Sequence, residues 1–382
     1  MRLEPSLPPD ALATIRAPFL EAGAELLDAP TVQPLGQLLD LAGEALRERL
    51  FILQSEGVEE TCLRPDFTLP AVRAHIASGR TAGRYYYEGH AFRVARAGLP
   101  RAEEFLQIGI ETFASEAIGI GDIAAADAEI AALAWRSAAA GGRKDLKLIF
   151  GDVSLFSAFL ESHQIPLPLR GRLERAFANP RRLRAELAAA DDPEPPKPGD
   201  RLAILLGDVS ESEAAAALEE IWRLSGIAPV GGRSAVEIVH RLRERAAIAT
   251  APHLTAIDAE PIRRFLAVSE QPQAALRTIG DLAGRHDRRL RDGLEAWGRR
   301  LQMLEAQGTP MSAITLSAAF GRDFGYYDGV LFEVRSTALG DDAPVAAGGR
   351  YDGLPARLGA SLPVAAVGCM VRPGRAWCGA AP

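Results

Sequence analysis

Cysteine is scarce in this chain, with only Cys62, Cys369 and Cys378 among 382 residues. Three widely spaced cysteines exclude a disulfide framework and a CxxC-type metal site, and they point to a reduced, cytoplasmic compartment. Long apolar runs are also missing. No stretch approaches the roughly 18 unbroken apolar residues of a membrane span, and the opening MRLEPSLPPDAL has no signal-peptide core. Nor is there an excess of positive charge. The formal net charge is −7 with the two signs interspersed, which argues against a nucleic-acid surface, because phosphate binding needs a basic face. No P-loop, G-x-S-x-G or G-x-G-x-x-G fingerprint opens a helix. His75 and His90 lack the spaced ligands of a metal site, so neither metal nor cofactor is expected. What is present is an ordinary globular composition, 48% hydrophobic and 24% charged, enough to bury a large core.

Hydrophobic periodicity divides the chain. Asp10 is a good N-cap for a helix to about 22; a short strand at 24–27 stops before Pro30, and a helix over 38–50 leads into a buried strand at 50–53. Residues 68–76 are apolar at helical spacing. The β-like runs 84–92 and 105–113, joined by the loop 95–102, predict a long antiparallel hairpin. An alanine-rich helix over 123–140, a strand at 145–150 and helices at 154–162 and 170–188 follow. Proline density marks 191–199 as a linker. Helical spacing then continues to 307, and strands return at 314–320, 329–334 and 364–370. These late strands lack partners of their own and should complete the first sheet. The fold class expected is α+β, a mostly antiparallel sheet flanked by helices, with residues 1–190 and 310–382 as one domain and 191–309 as a mostly helical insertion.

Four segments carry candidate chemistry. Phe105, Gln107 and Glu111 fall on a period of two and face one side of a strand. Asp66 and Thr68 add a carboxylate and a hydroxyl two residues apart. Tyr327 and Tyr351 supply phenolic groups and flat walls. Such a set suits a small zwitterion with a polar ring. Against this stand plainer readings: alternating polar residues usually face solvent, and Gly348-Gly349 alone marks a turn.

Taken in order, the segments resemble the histidyl-tRNA synthetase family of class II synthetases. RPDFTLPAVRAHI is similar to that family's RPEGT…RA segment, and Phe92-Arg93 with EFLQIGIE (104–111) to its motif 2. GRDFGYYDGVLFEV and AAGGRYDGL resemble its two histidine signatures. The resemblance implies that Asp66, Thr68 and Gln107 hold the amino group of histidine, and that Glu111, Tyr327 and Tyr351 surround its imidazole. It places Arg93 on the motif 2 arginine at the α-phosphate of ATP, Phe105 under adenine, Arg322 on the catalytic arginine and Arg375 on the motif 3 arginine. This second set is expected to be vestigial, because the pattern departs around it. Ala95 stands where a carboxylate should meet the adenine amino group, and Gly325 replaces an aspartate. The Gly-Leu-Glu-Arg of motif 3 reads Arg372-Pro373-Gly374-Arg375, where Pro373 should disrupt the helix start. Seven residues follow Arg375, so no anticodon-binding domain is expected.

Histidine recognition kept while nucleotide and tRNA recognition are eroded resembles the regulatory subunit of short-form ATP phosphoribosyltransferase. That resemblance implies a non-catalytic chain required by a separate catalytic subunit, involved in histidine feedback on the first step of histidine biosynthesis. It also implies a homodimer, formed through the first helix and the Pro30 region, within a hetero-oligomer. A truncated synthetase or other amino-acid-activating ligase, and a scaffold that binds no ligand, remain as alternatives.

Overall fold

Period-two alternation over residues 82–92 and 104–115 builds the longest strand pair of the molecule, and the rest of the sheet grows outward from it. The computed structural model describes residues 4, 7–42, 44–54, 60–95, 102–115, 122–177, 180–191, 209–225, 234–250, 254–321 and 326–379. In chain order the strands are β1 (Glu25–Leu26), β2 (Val32–Pro34), β3 (Ile52–Leu53), β4 (Thr61–Leu63), β5 (Ala82–Phe92) and β6 (Glu104–Ser115). Then come β7 (Leu146–Asp152), β8 (Ser269–Glu270), β9 (Ile314–Ser317), β10 (Val330–Ser336), β11 (Ala346–Arg350) and β12 (Val364–Val371). Nine of them form one sheet in the order β1-β5-β6-β12-β11-β10-β7-β9-β8, antiparallel except where β1 meets β5 and β7 meets β9. The late strands β9, β10 and β12 do complete the first sheet, as their lack of other partners predicts, and β11, not expected from the sequence, joins them. The remaining three make a small antiparallel sheet, β2-β4-β3.

The helices are α1 (Pro9–Glu21), α2 (Leu35–Ala42), α3 (Thr68–Ser78), α4 (Ile123–Ala140), α5 (Val153–Ser162), α6 (Leu167–Phe177) and α7 (Pro180–Ala189). They continue with α8 (Glu211–Ser225), α9 (Ala235–Thr250), α10 (Ala256–Leu266), α11 (Pro272–Asp281), α12 (Arg288–Ala306), α13 (Gly353–Arg357) and α14 (Pro373–Ala376). Two expectations need correcting. The helix expected over 38–50 is α2 followed by a 3₁₀ turn, Glu44–Arg49. The helix expected over 170–188 is two, because Pro180 has no N–H to continue a ladder and starts α7 instead.

The chain divides into two compact units, Met1–Ser162 with Arg264–Pro382, and His163–Arg263. Helices α11 and α12 thus fall in the first unit and α6 and α7 in the second, where the sequence reading counted α11 and α12 with the insertion and α6 and α7 with the domain. The attachment of α12 is chemical. Trp297 Nε1 donates to Asp152 Oδ2 at 2.7 Å, and Arg300 Nε donates to Asp127 Oδ2 at 2.8 Å. In the second unit, Ala214 and Ala215 of α8 pack on Ala235 and Val239 of α9. Within the first unit, α4 is the central support. Asp122 caps it by accepting from the amides of Ala124 and Ala125, and small alanine side chains let it lie close under β11 and β12. The opposite face of those strands is left for the site.

Candidate functional site

Strand register decides which side chains meet. Tyr85 lies opposite Glu111 and Gly89 opposite Gln107 in the β5–β6 pair, while Gly368 of β12 lies opposite Glu111 on the other side. Glu111, Gln107 and Gly368 therefore share one face of the sheet. A Cβ on Gly368 would overlap the Glu111 carboxylate, so glycine is required for that carboxylate to lie across the sheet. Helix α3 begins beside it and delivers Thr68, preceded by Asp66. Tyr351 follows the end of β11.

The result is one small cavity lined by all six residues assigned to histidine: Asp66, Thr68, Gln107, Glu111, Tyr327 and Tyr351. At its centre Glu111 is 1% exposed. It accepts from Thr68 Oγ1 at 2.9 Å on one oxygen and from the Tyr351 hydroxyl on the other. Gln107 Nε2 donates to Tyr87 O–H at 3.4 Å, and its buried Oε1 has no hydrogen-bond partner among the described residues. A buried acceptor left unmatched costs about 1–3 kcal/mol, which a ligand donor would recover. Tyr327 and Tyr351 stand with ring centroids 6.4 Å apart at 74°. The cavity volume is about 20 Å³, close to what one water needs. A ligand larger than water enters only if a wall yields, and Tyr327 is the half-buried one among the lining tyrosines.

Burial sets the electrostatics. It pushes the Glu111 carboxyl up to about 8; bonds from Tyr351 and Thr68 oppose the shift, and neighbouring Asp66 adds to it. Glu111 is thus neutral at pH 7, poised to ionise when a cation arrives. The hydroxyls of Tyr87 and Tyr351 are held well above their ordinary range by burial and by Glu111. Behind this wall His75 is structural. Its ring stacks on Phe113 at 4.5 Å and its Nδ1 lies 3.2 Å from the Tyr85 hydroxyl.

A second, larger cavity of about 230 Å³ adjoins the first, sharing Arg93 and Met370. It gathers three of the four residues assigned to the vestigial nucleotide site: Arg93, Phe105 and Arg375. The fourth, Arg322, lies outside the described residues, as does Gly325. Arg93 Nε donates to Pro65 O at 2.8 Å, and its guanidinium lies 5.5 Å from the centre of the Phe105 ring. One expectation here is corrected. Pro373 does not disrupt the helix start; it occupies the first turn of α14, where a missing N–H costs nothing, and the helix is merely short. Ala95 also lines this cavity, so no carboxylate is offered from that position.

Sequence reasoning missed Tyr87, Gly368, Met370, Arg49, Arg335 and Arg372, all of which line one cavity or the other. Tyr87 shares the β5 face of Tyr85 and Gly89, but the register that sets this face beside Glu111 comes from the structure. For Arg372 the signal was hidden in motif 3, where an arginine stands in place of glycine.

Comparison with known proteins bears on the fold and the family. The family described as histidyl-tRNA synthetase matches over residues 10–228 and 223–373. A protein of Agrobacterium fabrum named ATP phosphoribosyltransferase regulatory subunit is 36% identical over 364 residues, 94% of each chain. A protein of the same name from Brucella anthropi is 36% identical over 93% of each chain. Among solved structures, an ATP phosphoribosyltransferase regulatory subunit/histidyl-tRNA synthetase from Bacillus halodurans superposes with a TM-score of 0.63 at 20% identity, covering 99% of this chain and 82% of that one. The histidyl-tRNA synthetase of Nostoc superposes with a TM-score of 0.61 at 16% identity, covering 96% and 69%. The structures establish the fold; the curated relatives establish the branch. The chain belongs to the family of ATP phosphoribosyltransferase regulatory subunits, built on the fold of a histidyl-tRNA synthetase.

Proposed function

We propose that this regulatory subunit, not catalytic by itself, binds free L-histidine in the small cavity and passes its occupancy to a short-form ATP phosphoribosyltransferase catalytic subunit. The observation that supports the histidine reading is convergence: side chains from residues 66–68, 107–111, 327 and 351 line one cavity around a buried carboxylate. Asp66, Thr68 and Gln107 take the amino group, and Glu111, Tyr327 and Tyr351 take the ring. Arg93, placed by the resemblance at a nucleotide phosphate, lines the wall that the two cavities share.

The first unit serves as the synthetase-like body and the second as the insertion. Assembly is through a homodimer. Leu20, Leu26, Val32 and Leu53 are large, apolar and exposed. They lie at the end of α1, on the edge strand β1 and in β2 and β3, the first-helix and Pro30 region where the dimer contact is expected. The chain works in the cytoplasm and binds neither nucleic acid nor membrane. No helix among the described residues is long and apolar enough to cross a bilayer, and the described cysteines are free thiols.

The test is reconstitution. The short catalytic subunit alone should be nearly inactive in joining ATP to phosphoribosyl pyrophosphate, and adding this chain should switch it on. Histidine should then inhibit the mixture. Tyr351→Phe should weaken histidine binding by about 1–3 kcal/mol, since it removes one donor to the buried Glu111, while leaving activation intact. Because coupling is reciprocal, histidine should bind the inhibited complex more tightly than the active one. A mixture that shows no activation sinks the proposal. Histidine-dependent exchange of pyrophosphate into ATP would replace it with an amino-acid-activating ligase.

A further inference from the structure

The aromatic slot of the larger cavity already has an occupant. The Arg372 guanidinium lies 3.6 Å from the centre of the Phe105 ring, a single layer of van der Waals contact. Inserting a base between them requires opening the gap to roughly 7 Å, two such layers. Both partners are nearly out of solvent, Phe105 2% exposed and Arg372 6%, and both line the larger cavity. The Arg372 backbone is pinned where β12 leaves the sheet: its N–H donates to Val345 O at 2.9 Å, and its carbonyl accepts from the amides of Arg375 and Ala376. The side chain is held as well. Glu4 forms an ion pair with Arg372 and lies 3.4 Å from Arg375 Nε. Burial first, then the nearby charge of Arg375, works against the Arg372 cation, and Glu4 opposes both. Pulling Arg372 away would strand a nearly buried carboxylate beside a single arginine.

We propose that Arg372, latched by Glu4, fills the stacking place over Phe105 from within and makes this chain blind to adenine nucleotides. The small cavity is then an amino-acid site with no nucleotide neighbour. The inference rests on the likeness of Phe105 to the family's adenine platform and on the 3.6 Å stacking of Arg372 over it, and it stands apart from the histidine reading. It differs from a merely eroded site. Loss of the contact at Ala95 weakens a base, whereas Arg372 excludes it, and exclusion is reversible by one substitution.

Full-length chain titrated with AMP, and separately with MgATP, by calorimetry should show no saturable binding at millimolar nucleotide. Arg372→Gly should create a site for AMP, tighter by about tenfold or more than the natural chain shows, the scale of one base stacked on an aromatic ring. Adding Phe105→Ala to that variant should abolish the gain. Three results would overturn the inference. The natural chain binding AMP with an affinity that Phe105→Ala destroys is one. A folded Arg372→Gly chain that gains nothing is another. The third covers an Arg372→Gly chain that does not fold: Glu4→Gln, which loosens the latch without touching either cavity wall, then decides, and no gain there is equally fatal. Histidine titrated into each variant reports separately on the small cavity, so failure of one reading is visible apart from failure of the other.

Discussion

Histidine affinity is expected to be bell-shaped in pH, with one limb near the free imidazole value of about 6.5 and the other near the Glu111 value of about 8. The complex wants one proton shared between the Glu111 carboxyl and the ligand ring. Below the first limb both groups arrive protonated and one proton must leave. Above the second, neither carries one and a proton must be taken up. On each side affinity should fall about tenfold per pH unit, the cost of one proton. Between the limbs, binding should exchange no net proton, which calorimetry in two buffers of different ionisation enthalpy measures directly. Glu111→Gln donates a permanent amide proton, so the part of the alkaline limb set by Glu111 should vanish, leaving the acidic limb and the loss of the ligand's own ammonium at higher pH. An alkaline limb that Glu111→Gln leaves unmoved would belong to another group and sink the assignment. The same shift affects folding with a definite sign. Glu111 is raised from 4.5 to about 8, so the folded chain keeps a proton that the unfolded chain releases. Stability from this source is complete below about 4.5 and is lost as pH climbs through about 8. Histidine, by supplying the partner for the ionised carboxylate, should flatten that loss.

How much of this was legible in the sequence can be judged residue by residue. Gln107 and Glu111 could be placed on one face because β6 is long and alternates cleanly. The four dispersed segments could be ordered because their motifs resemble a known family. Tyr87 needed the β5–β6 register, and Glu111 fixes that register only through its pairing with Tyr85, which loop length alone does not specify. Strand β11 was hidden by its own composition. Ala346–Arg350 reads as a glycine turn, yet those glycines are there because a Cβ on Gly348 would strike the backbone of Gly368 and the side chain of Phe332. The place of α11 and α12 was not legible at all. Amphipathic spacing shows that a helix has a buried face, but Trp297 and Arg300 find their partners at residues 152 and 127, far back in the chain. Arg372 shows the limit most clearly. Its effect depends on Phe105 and Glu4, neither within reach of any local pattern.

Asp127→Ala should be among the most damaging single substitutions in the first unit, costing about 3–5 kcal/mol in urea unfolding. Asp127 is 4% exposed and holds two arginines at once. Arg300 Nε reaches one oxygen at 2.8 Å, and Arg350 Nε reaches the other at 2.8 Å. Removing the carboxylate leaves two like charges buried together, with Asp352, 2.9 Å from Arg350 Nη1, still paired to one of them. The loss is larger than a missing hydrogen bond because desolvation of both cations is no longer offset. The damage should also reach the site. Arg350 ends β11 and immediately precedes Tyr351, whose hydroxyl donates to Glu111. An arginine driven from its partner shifts the strand end that aims this tyrosine. Asp127→Asn, which keeps shape and one acceptor, should fall between the natural chain and Asp127→Ala in both stability and histidine affinity. A cost below about 1 kcal/mol, the range of an exposed ion pair, would mean that water reaches these arginines and that packing around Trp297 alone joins α12 to α4 and β11. If stability dropped while histidine affinity stayed unchanged, Tyr351 would be positioned by Phe113 and Tyr326, the rings packed edge-on against it, and not by the arginine beside it.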